Sequence, residues 1–149
     1  AYERVLRSPG LKRYFSVAWL RSEDYWRDSP GRRSMQLNYD LIQLGLRIER
    51  TLVLSDFFWP PAALLPAKII CQWVEEQYKR GIVIRLVRES AVAEEPNLLC
   101  DFGIYGDRAT GLLELDDQCR TLQFTLDFAP RAVQLFEERY AQGVARYGT

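Results

Sequence analysis

The sequence predicts an α/β domain in which helices flank a sheet of mixed parallel and antiparallel strands. Two observations point to this class: a helix followed by glycine and a strand occurs twice, at Gly45 and Gly81, and three closely spaced strand-like segments come afterwards. The predicted order, β-α-β-α-β-β-β-α, counts one strand fewer than the six strand-like segments given below, and its two helical crossovers imply parallel neighbouring strands. With 149 residues, 48% hydrophobic composition and no linker-like stretch, residues 1–149 are expected to form one domain.

Strands are predicted where aromatic and β-branched residues run together or alternate with polar ones. The predicted strands cover residues 14–20, 46–54, 82–87, 98–105, 108–115 and 121–128. Turn-forming residues, Gly106-Asp107 and Asp116-Asp117-Gln118, separate the last three of these strands. The C-terminal part of the sheet is therefore expected to be an antiparallel meander.

Helices are predicted where apolar residues recur every three to four positions. The predicted helices cover residues 33–44, residues 62–79 and a C-terminal stretch that begins after Pro130, with a short helical turn at residues 22–26. Their expected buried positions are Leu37, Leu41 and Leu44, then Ile69, Trp73 and Val74, then Val133, Phe136 and Tyr140. Residues 1–11 are expected to be a loose lead-in segment, and Ser29-Pro30-Gly31 a break.

Composition excludes several classes of chemistry. The chain has no histidine, which excludes Ser-His-Asp and Cys-His hydrolysis and zinc sites that need histidine ligands. Its 20 basic and 20 acidic residues cancel, which argues against nucleic-acid binding through charge. All basic residues except Lys12, Lys68 and Lys79 are arginines. Arginine suits bidentate binding of anions, but codon bias in a GC-rich genome also explains this usage.

The cysteines and the hydropathy pattern bear on location. Cys71, Cys100 and Cys119 form no Cys-x-x-Cys pair, so we expect three reduced thiols in a cytoplasmic protein. No apolar run reaches the roughly 20 residues that a membrane span needs. The charged N-terminus is unlike a signal peptide, and a first residue other than Met favours a processed chain or a domain of a longer protein.

Acidic residues follow several predicted strands. Asp56 and Glu89 lie at carboxyl ends of predicted parallel strands, where open α/β sheets bind ligands, and Asp101 lies near a strand end. One interpretation is a divalent metal held by these three carboxylates. The other is that Asp56 and Glu89 cap helices or form surface ion pairs. The acidic residues Glu114, Asp116 and Asp117 fit a hairpin turn. No glycine-rich phosphate loop occurs, and no cofactor is expected.

Two arginines and a tryptophan are the other candidates for binding. Arg85 interrupts an apolar strand and lies on the opposite face from Arg88. Such a charge sits at a sheet edge, pairs with a carboxylate or contacts a ligand. Trp59 belongs to an aromatic loop, residues 57–61, which either forms a partner surface or folds back over the core.

The overall outline resembles that of phospholipase D-like domains. The stretch from Cys100 to Gly111 is similar to the family's His-x-Lys-x4-Asp motif and the hairpin after it. Asp107 matches the motif's aspartate, whereas Cys100 and Phe102 stand where the histidine and the lysine belong. The resemblance therefore implies a catalytically degenerate member, of the kind found as regulatory modules in bacterial signalling, transcription and defence proteins.

Together these observations predict a non-catalytic binding module. Its partner is expected to be a protein or an anionic small molecule, contacted at the strand ends through Trp59, Arg85, Arg88, Asp101 and Asp56. A homodimer is plausible only by analogy with the resembled family. The alternative is a phosphodiesterase or nuclease-like enzyme that uses carboxylates, arginine and a divalent metal.

Overall fold

A six-stranded mixed sheet forms the centre of the protein, shown by a computed structural model that describes residues 2–21, 29–92, 101–115 and 121–147. The strands are β1 (Arg13–Leu20), β2 (Arg47–Leu54), β3 (Val83–Arg88), β4 (Asp101–Tyr105), β5 (Ala109–Leu115) and β6 (Thr121–Asp127). Within these residues the helices are α1 (Tyr2–Leu6), α2 (Ser29–Gln43), α3 (Lys68–Lys79) and α4 (Pro130–Tyr147). The predicted class, a mixed sheet flanked by helices, is confirmed.

The spatial order of the strands is β3-β2-β1-β4-β5-β6. The first three strands of the chain are parallel; β4 pairs antiparallel with β1, and β5 and β6 continue the sheet as an antiparallel meander. Both helical crossovers step the same way along the sheet, so right-handed connections place α2 and α3 on one face. The carboxyl ends of β1, β2 and β3 consequently meet at one edge, which we call the carboxyl edge.

The sheet is covered on both faces. On one face, Val5 and Leu6 of α1 and the apolar sides of α2 and α3 pack on residues such as Ile48 and Leu52. On the other face, Val133 and Tyr140 of α4 pack on Val17, Val53, Phe102 and Ile104. The protein is therefore a three-layer arrangement, in which Glu49 and Arg50 of β2 are buried.

Left-handed glycines end the two crossover helices. Gly45 and Gly81 both have φ of 99°, a conformation that side chains with a Cβ rarely adopt. Beyond Gly45, the N–H of Leu46 returns to Leu41 O, and beyond Gly81 the N–H of Ile82 returns to Gln77 O. This capping pattern satisfies the last carbonyls and turns the chain into the next strand.

Four sequence predictions of local structure need correction. Residues 2–6 are helical, not loose, and bury Val5 and Leu6. α2 begins at Ser29, because Pro30 fits the first turn of a helix, where its missing N–H costs nothing. α3 begins at Lys68 and not at residue 62. Leu44 lies beyond the end of α2 and is largely exposed.

The rest of the helical pattern agrees with the packing. Val133, Phe136 and Tyr140 of α4 face the core together. On α3 the most buried residues are Ile70, Trp73 and Gln77, while Ile69 and Val74 pack at the margin of the same cluster. The predicted turns at residues 22–26 and 116–118 lie outside the described residues.

Candidate functional site

Arg85 is held by internal partners beneath α4. Its guanidinium donates a hydrogen bond to Glu49 Oε1 at 3.0 Å and another to the hydroxyl of Tyr140 at 3.1 Å. Glu49 also contacts Arg47 at 3.3 Å, and its side chain is only 6% exposed. Burial first, and the nearby Glu49 carboxylate second, raise the pKa of Tyr140 above its ordinary value. These contacts are those of a buried ion pair.

Arg88 lies on the opposite face and holds the loop that follows β2. Its Nη1 donates to Pro60 O at 2.9 Å, its Nη2 donates to Ala63 O, and its guanidinium stacks over the Trp59 ring at 4.1 Å. The indole N–H of Trp59 donates to the same Ala63 O at 3.2 Å. Because Arg85 faces α4 and Arg88 faces the loop, the structure does not bring the two arginines into one site.

This loop is apolar and largely exposed. Residues 57–67 contain no charged residue, and the only polar side-chain atom among them is the Trp59 nitrogen; we call this segment the apolar loop. Phe58 is buried in the core, and its carbonyl accepts the N–H of Ala67, which closes the loop. The interpretation that the loop folds back over the core is correct for Phe58, whereas Phe57 is exposed and the partner surface stays a prediction.

Three large side chains of the apolar loop face solvent. Leu64 is 93% exposed, Phe57 75% and Leu65 72%. Solvent-facing apolar residues are common singly, whereas several on one short segment typically mark an interaction surface. The run of eleven uncharged residues is visible in the sequence, but only the structure shows which of their side chains face solvent.

Asp101 lies at the carboxyl edge, at the start of β4. Its Oδ1 accepts the backbone N–H of Trp19 at 2.6 Å, and the residue is 8% exposed. Burial raises the pKa of Asp101 to about 6, although the Trp19 hydrogen bond and the charge of Arg21 act in the opposite direction. Arg21 stacks on the ring of Trp19 at 4.1 Å, the residue whose backbone N–H the Asp101 carboxyl accepts.

Sequence reasoning missed Trp19, Arg21 and Ser55 at this position. Their side chains share with Asp101 a feature that no sequence pattern shows. Trp19 Nε1, Arg21 Nε, Ser55 Oγ and Asp101 Oδ2 are buried, and none has a hydrogen-bond partner in the part of the chain that the structure describes.

The three carboxylates proposed to bind a metal do not form a metal site. Asp56 is exposed, Glu89 opens the 3-10 turn Glu89–Val92, and Asp101 is buried at the start of β4. Among the described residues, which include all three, no group of His, Cys, Asp or Glu side chains could hold a metal ion. The metal-dependent alternative therefore lacks the site that it required.

Cys71 is the only one of the three cysteines among the described residues. The Cys71 thiol is free, whereas Cys100 and Cys119 lie outside the described residues. Phe102 packs against Phe136 of α4, with ring centroids 5.1 Å apart, and Asp107 is exposed in the turn between β4 and β5. Within the described residues, the structure has no helix of the length and hydropathy needed to cross a bilayer.

Comparisons with known proteins give no assignment. No family model, no curated protein and no solved structure matches the chain.

Proposed function

We propose that this domain is a non-catalytic recognition module that docks a protein partner through the apolar loop. The observation that carries the proposal is the exposure of Phe57, Leu64 and Leu65 on a loop whose shape is held from beneath. Aromatic and large apolar side chains dominate the binding energy of protein interfaces. The described residues hold no group of side chains that could bind a metal ion, so the metal-dependent alternative has no such site among them.

The loop is organised before any partner arrives. Arg88 fixes the carbonyls of Pro60 and Ala63, and the N–H groups of Phe58 and Trp59 both return to Ser55 O. A loop that is already ordered loses little conformational entropy on binding, so more of its contact energy contributes to affinity. In this proposal Arg88 and Trp59 are positioning residues that hold Phe57, Leu64 and Leu65 in place.

The charges around the loop favour a protein over a lipid surface. Segments that bind membranes combine apolar residues with several lysines or arginines that attract anionic lipids. The apolar loop has no basic residue of its own, it is flanked by the acidic Asp56 and by a single lysine, Lys68, and Arg88 is engaged beneath it. An uncharged, protruding loop instead fits an apolar groove on another protein.

The finer assignment of the fold is part of the same proposal. We take the domain to be phospholipase D-like and catalytically degenerate, in a cytoplasmic regulatory protein. The support is the repeated helix–glycine–strand unit, the Asp107 turn and the core position of Phe102 where the family's motif has lysine. Such a domain would transmit the state of its partner and catalyse no reaction.

The test compares loop variants with a matched surface variant. Leu64→Ser and Phe57→Ser remove apolar contact area from the loop, while Leu44→Ser alters an equally exposed leucine after α2. Proteins cross-linked to the wild-type chain in its own cells are identified, purified and titrated against each variant. We expect the dissociation constant to rise about tenfold or more for the loop variants and to stay unchanged for Leu44→Ser.

Other occupants of the loop are distinguished in parallel. Sedimentation velocity reports self-association, and flotation with vesicles of phosphatidylcholine and phosphatidylglycerol reports lipid binding. Loop-dependent dimerisation or flotation would overturn the proposal in favour of a second copy or a membrane. A purified partner that binds all variants equally would overturn it as well.

A further inference from the structure

The sheet ends on one side at β6, a strand that docking through the apolar loop does not involve. Among the described residues β6 pairs with β5 alone, so its other edge carries backbone N–H and C=O groups that no described strand bonds. Gln123, Phe124 and Thr125, in the middle of the strand, are all exposed. An open strand edge of this kind is a template on which another strand can pair.

β6 lacks the features with which proteins usually protect the edge of a sheet. Protected edges are very short, carry charged residues or proline, or are twisted away by a bulge. β6 has seven residues with no proline and no basic residue, and its one charged residue, Asp127, is the last. The irregular pairing with β5 lies at the other end, beside Glu114, and residues Gln123 to Asp127 pair without a break. The central part of β6 is therefore a regular, uncharged edge.

The opposite edge of the described sheet differs in this respect. β3 has six residues, and two of them, Arg85 and Arg88, are charged. Arg85 is paired with Glu49, and Arg88 holds the carbonyls of Pro60 and Ala63. Charged side chains on an edge strand oppose the addition of another strand. Of the two edges, β6 is the one suited to pairing.

Phe124 supplies an apolar centre for this edge. Its ring lies over Gly111 of β5, where an added Cβ would stand 2.9 Å from Phe124 Cζ, so the chain itself fixes the position of the ring. The residue is still 36% exposed, and Phe128, just beyond the strand, is 61% exposed. Aromatic residues that face each other across two strands stabilise the pairing of those strands.

We propose that two copies of this chain form a dimer by antiparallel pairing of β6 with β6 of the second copy. Charge favours this direction. Parallel in-register pairing would place the Cα atoms of the two Asp127 residues about 5 Å apart, whereas antiparallel pairing centred on Phe124 separates them by about 20 Å. The antiparallel register sets Phe124 opposite Phe124 of the second copy, and Gln123 opposite Thr125 of the second copy. The two sheets then form one continuous sheet.

A second copy fits this edge because antiparallel pairing about a two-fold axis is self-complementary. Both chains contribute the same residues, and each β6 edge is used up by the other, so the assembly closes at two chains. β6 contributes seven residues, against the roughly 20–30 residues per side of a standard interface. We therefore expect a weak dimer, with a dissociation constant in the micromolar range or above.

Two measurements on the unmodified chain test the dimer. Sedimentation velocity from about 5 to 500 µM should show a monomer that becomes a dimer as the concentration rises. Amide hydrogen exchange at the two ends of that range locates the interface, because pairing protects the outward N–H groups of β6. We expect β6 amides to exchange more slowly at the higher concentration, while those of β3 exchange at an unchanged rate.

Two double variants at the same exposed positions test the register. Gln123→Lys with Thr125→Lys sets like charges opposite each other across the dimer, and the dissociation constant should rise about tenfold or more. Gln123→Lys with Thr125→Glu sets opposite charges there and should retain the dimer. Val83→Lys, the same kind of change at an exposed residue of the other edge strand, should leave the dimer intact. Thermal unfolding of dilute samples checks that each variant folds.

Several results would overturn the proposal. They are a monomer at every concentration, β6 amides whose exchange does not depend on concentration, equal dimerisation of the two double variants, and oligomers that grow beyond two chains. Weakening by Val83→Lys would assign the pairing to β3, and protection of β6 only by a different added protein would assign the edge to that protein.

The dimer and loop docking are tested separately. Leu64→Ser is expected to dimerise like the wild-type chain. The double lysine variant is expected to bind the partner of the apolar loop with wild-type affinity, so either proposal can fail while the other holds.

Discussion

Arg88 and Trp59 stack at 4.1 Å and both donate hydrogen bonds to the carbonyl oxygen of Ala63. Arg88, at the end of β3, and Trp59, in the loop after β2, therefore both hold the peptide group of Ala63 by hydrogen bonds. Arg88 is the register partner of Leu54 across β2 and β3, so the side chain that holds the loop projects from a residue of the sheet itself. Contacts with two neighbouring parallel strands, β2 and β3, therefore fix the shape of the apolar loop.

Arg88→Ala tests whether the contacts of Arg88 hold the apolar loop in its shape. The change removes both hydrogen bonds to loop carbonyls and the contact with Trp59, so we expect a loss of about 1–3 kcal/mol in the free energy of unfolding. Partner affinity should fall as well, because the loop then has to be ordered on binding. Urea unfolding and titration against the identified partner measure the two effects.

Arg88→Lys and Arg131→Ala are the controls for that experiment. Lysine keeps the charge but lacks the planar fork that reaches two carbonyls, so it should rescue little. Arg131 is an exposed arginine on α4 and should be replaceable without effect. If Arg88→Ala retained wild-type stability and affinity, the contacts of Arg88 would have no role in holding the loop.

Glu49→Ala should be more damaging than most single substitutions in the sheet. It leaves Arg85 beneath α4 without its carboxylate, and removing one partner of a buried pair typically costs about 3–5 kcal/mol. Because Arg85 is 21% exposed, part of its charge can be hydrated and we expect the lower end of that range. Chemical denaturation of the variant measures the loss.

A double variant separates burial of a lone charge from loss of packing. Glu49→Leu with Arg85→Met replaces the pair by apolar side chains of similar volume, and such replacements are often neutral or stabilising. We therefore expect the double variant to recover most of the stability that Glu49→Ala loses. Equal losses in the single and the double variant would contradict this explanation.

The fold was predictable where its signals are local. Gly45 and Gly81 each end a helix and precede an apolar strand, so the crossovers could be read from the sequence alone. The helix at residues 2–6 is too short to show a periodic pattern, and Val5 and Leu6 are buried only because the sheet lies beside them. The sequence predicts too early a start for α3, because Ala62, Leu64 and Leu65 are good helix formers, whereas the helix begins after Pro66.

The site was predictable in its residue types but not in its partners. Arg85 was correctly placed on the face opposite Arg88, yet its partner Glu49 lies on another strand and depends on the register of β2 and β3. The contact between Asp101 and Trp19 likewise requires the antiparallel pairing of β1 and β4. Sequence spacing does not show which strands pair, so it could not identify Trp19 and Arg21 as neighbours of Asp101.

Gly103→Ala tests the close packing on the α2 face of the meander. A Cβ at this position would lie 3.0 Å from Tyr14 Cε1 and 3.4 Å from the Tyr105 ring, and those two rings stack with centroids 5.1 Å apart. Overpacking of this kind costs about 1–3 kcal/mol. Thermal unfolding of the variant measures it, and adding Tyr14→Val should relieve the clash and recover part of the loss. No recovery would mean that the backbone and not the ring opposes the Cβ.

The buried carboxyl of Asp101 should make stability depend on pH. Its pKa is raised to about 6 in the folded protein, against an ordinary value of 3.8, so the folded state binds the proton more tightly than the unfolded state does. The contribution of this group is therefore greatest below the unfolded value and is lost as pH rises through about 6. A pKa shift of this size changes the free energy of unfolding by roughly 3 kcal/mol between pH 3.5 and pH 7.

Asp101→Asn keeps an oxygen for the Trp19 N–H and cannot titrate. Its free energy of unfolding, measured in urea across that pH range, should therefore vary less with pH than that of the wild-type protein. Asp56→Asn, at an exposed position, should keep the wild-type slope, and identical profiles for Asp101→Asn and wild type would show that the carboxyl is not desolvated in the folded state.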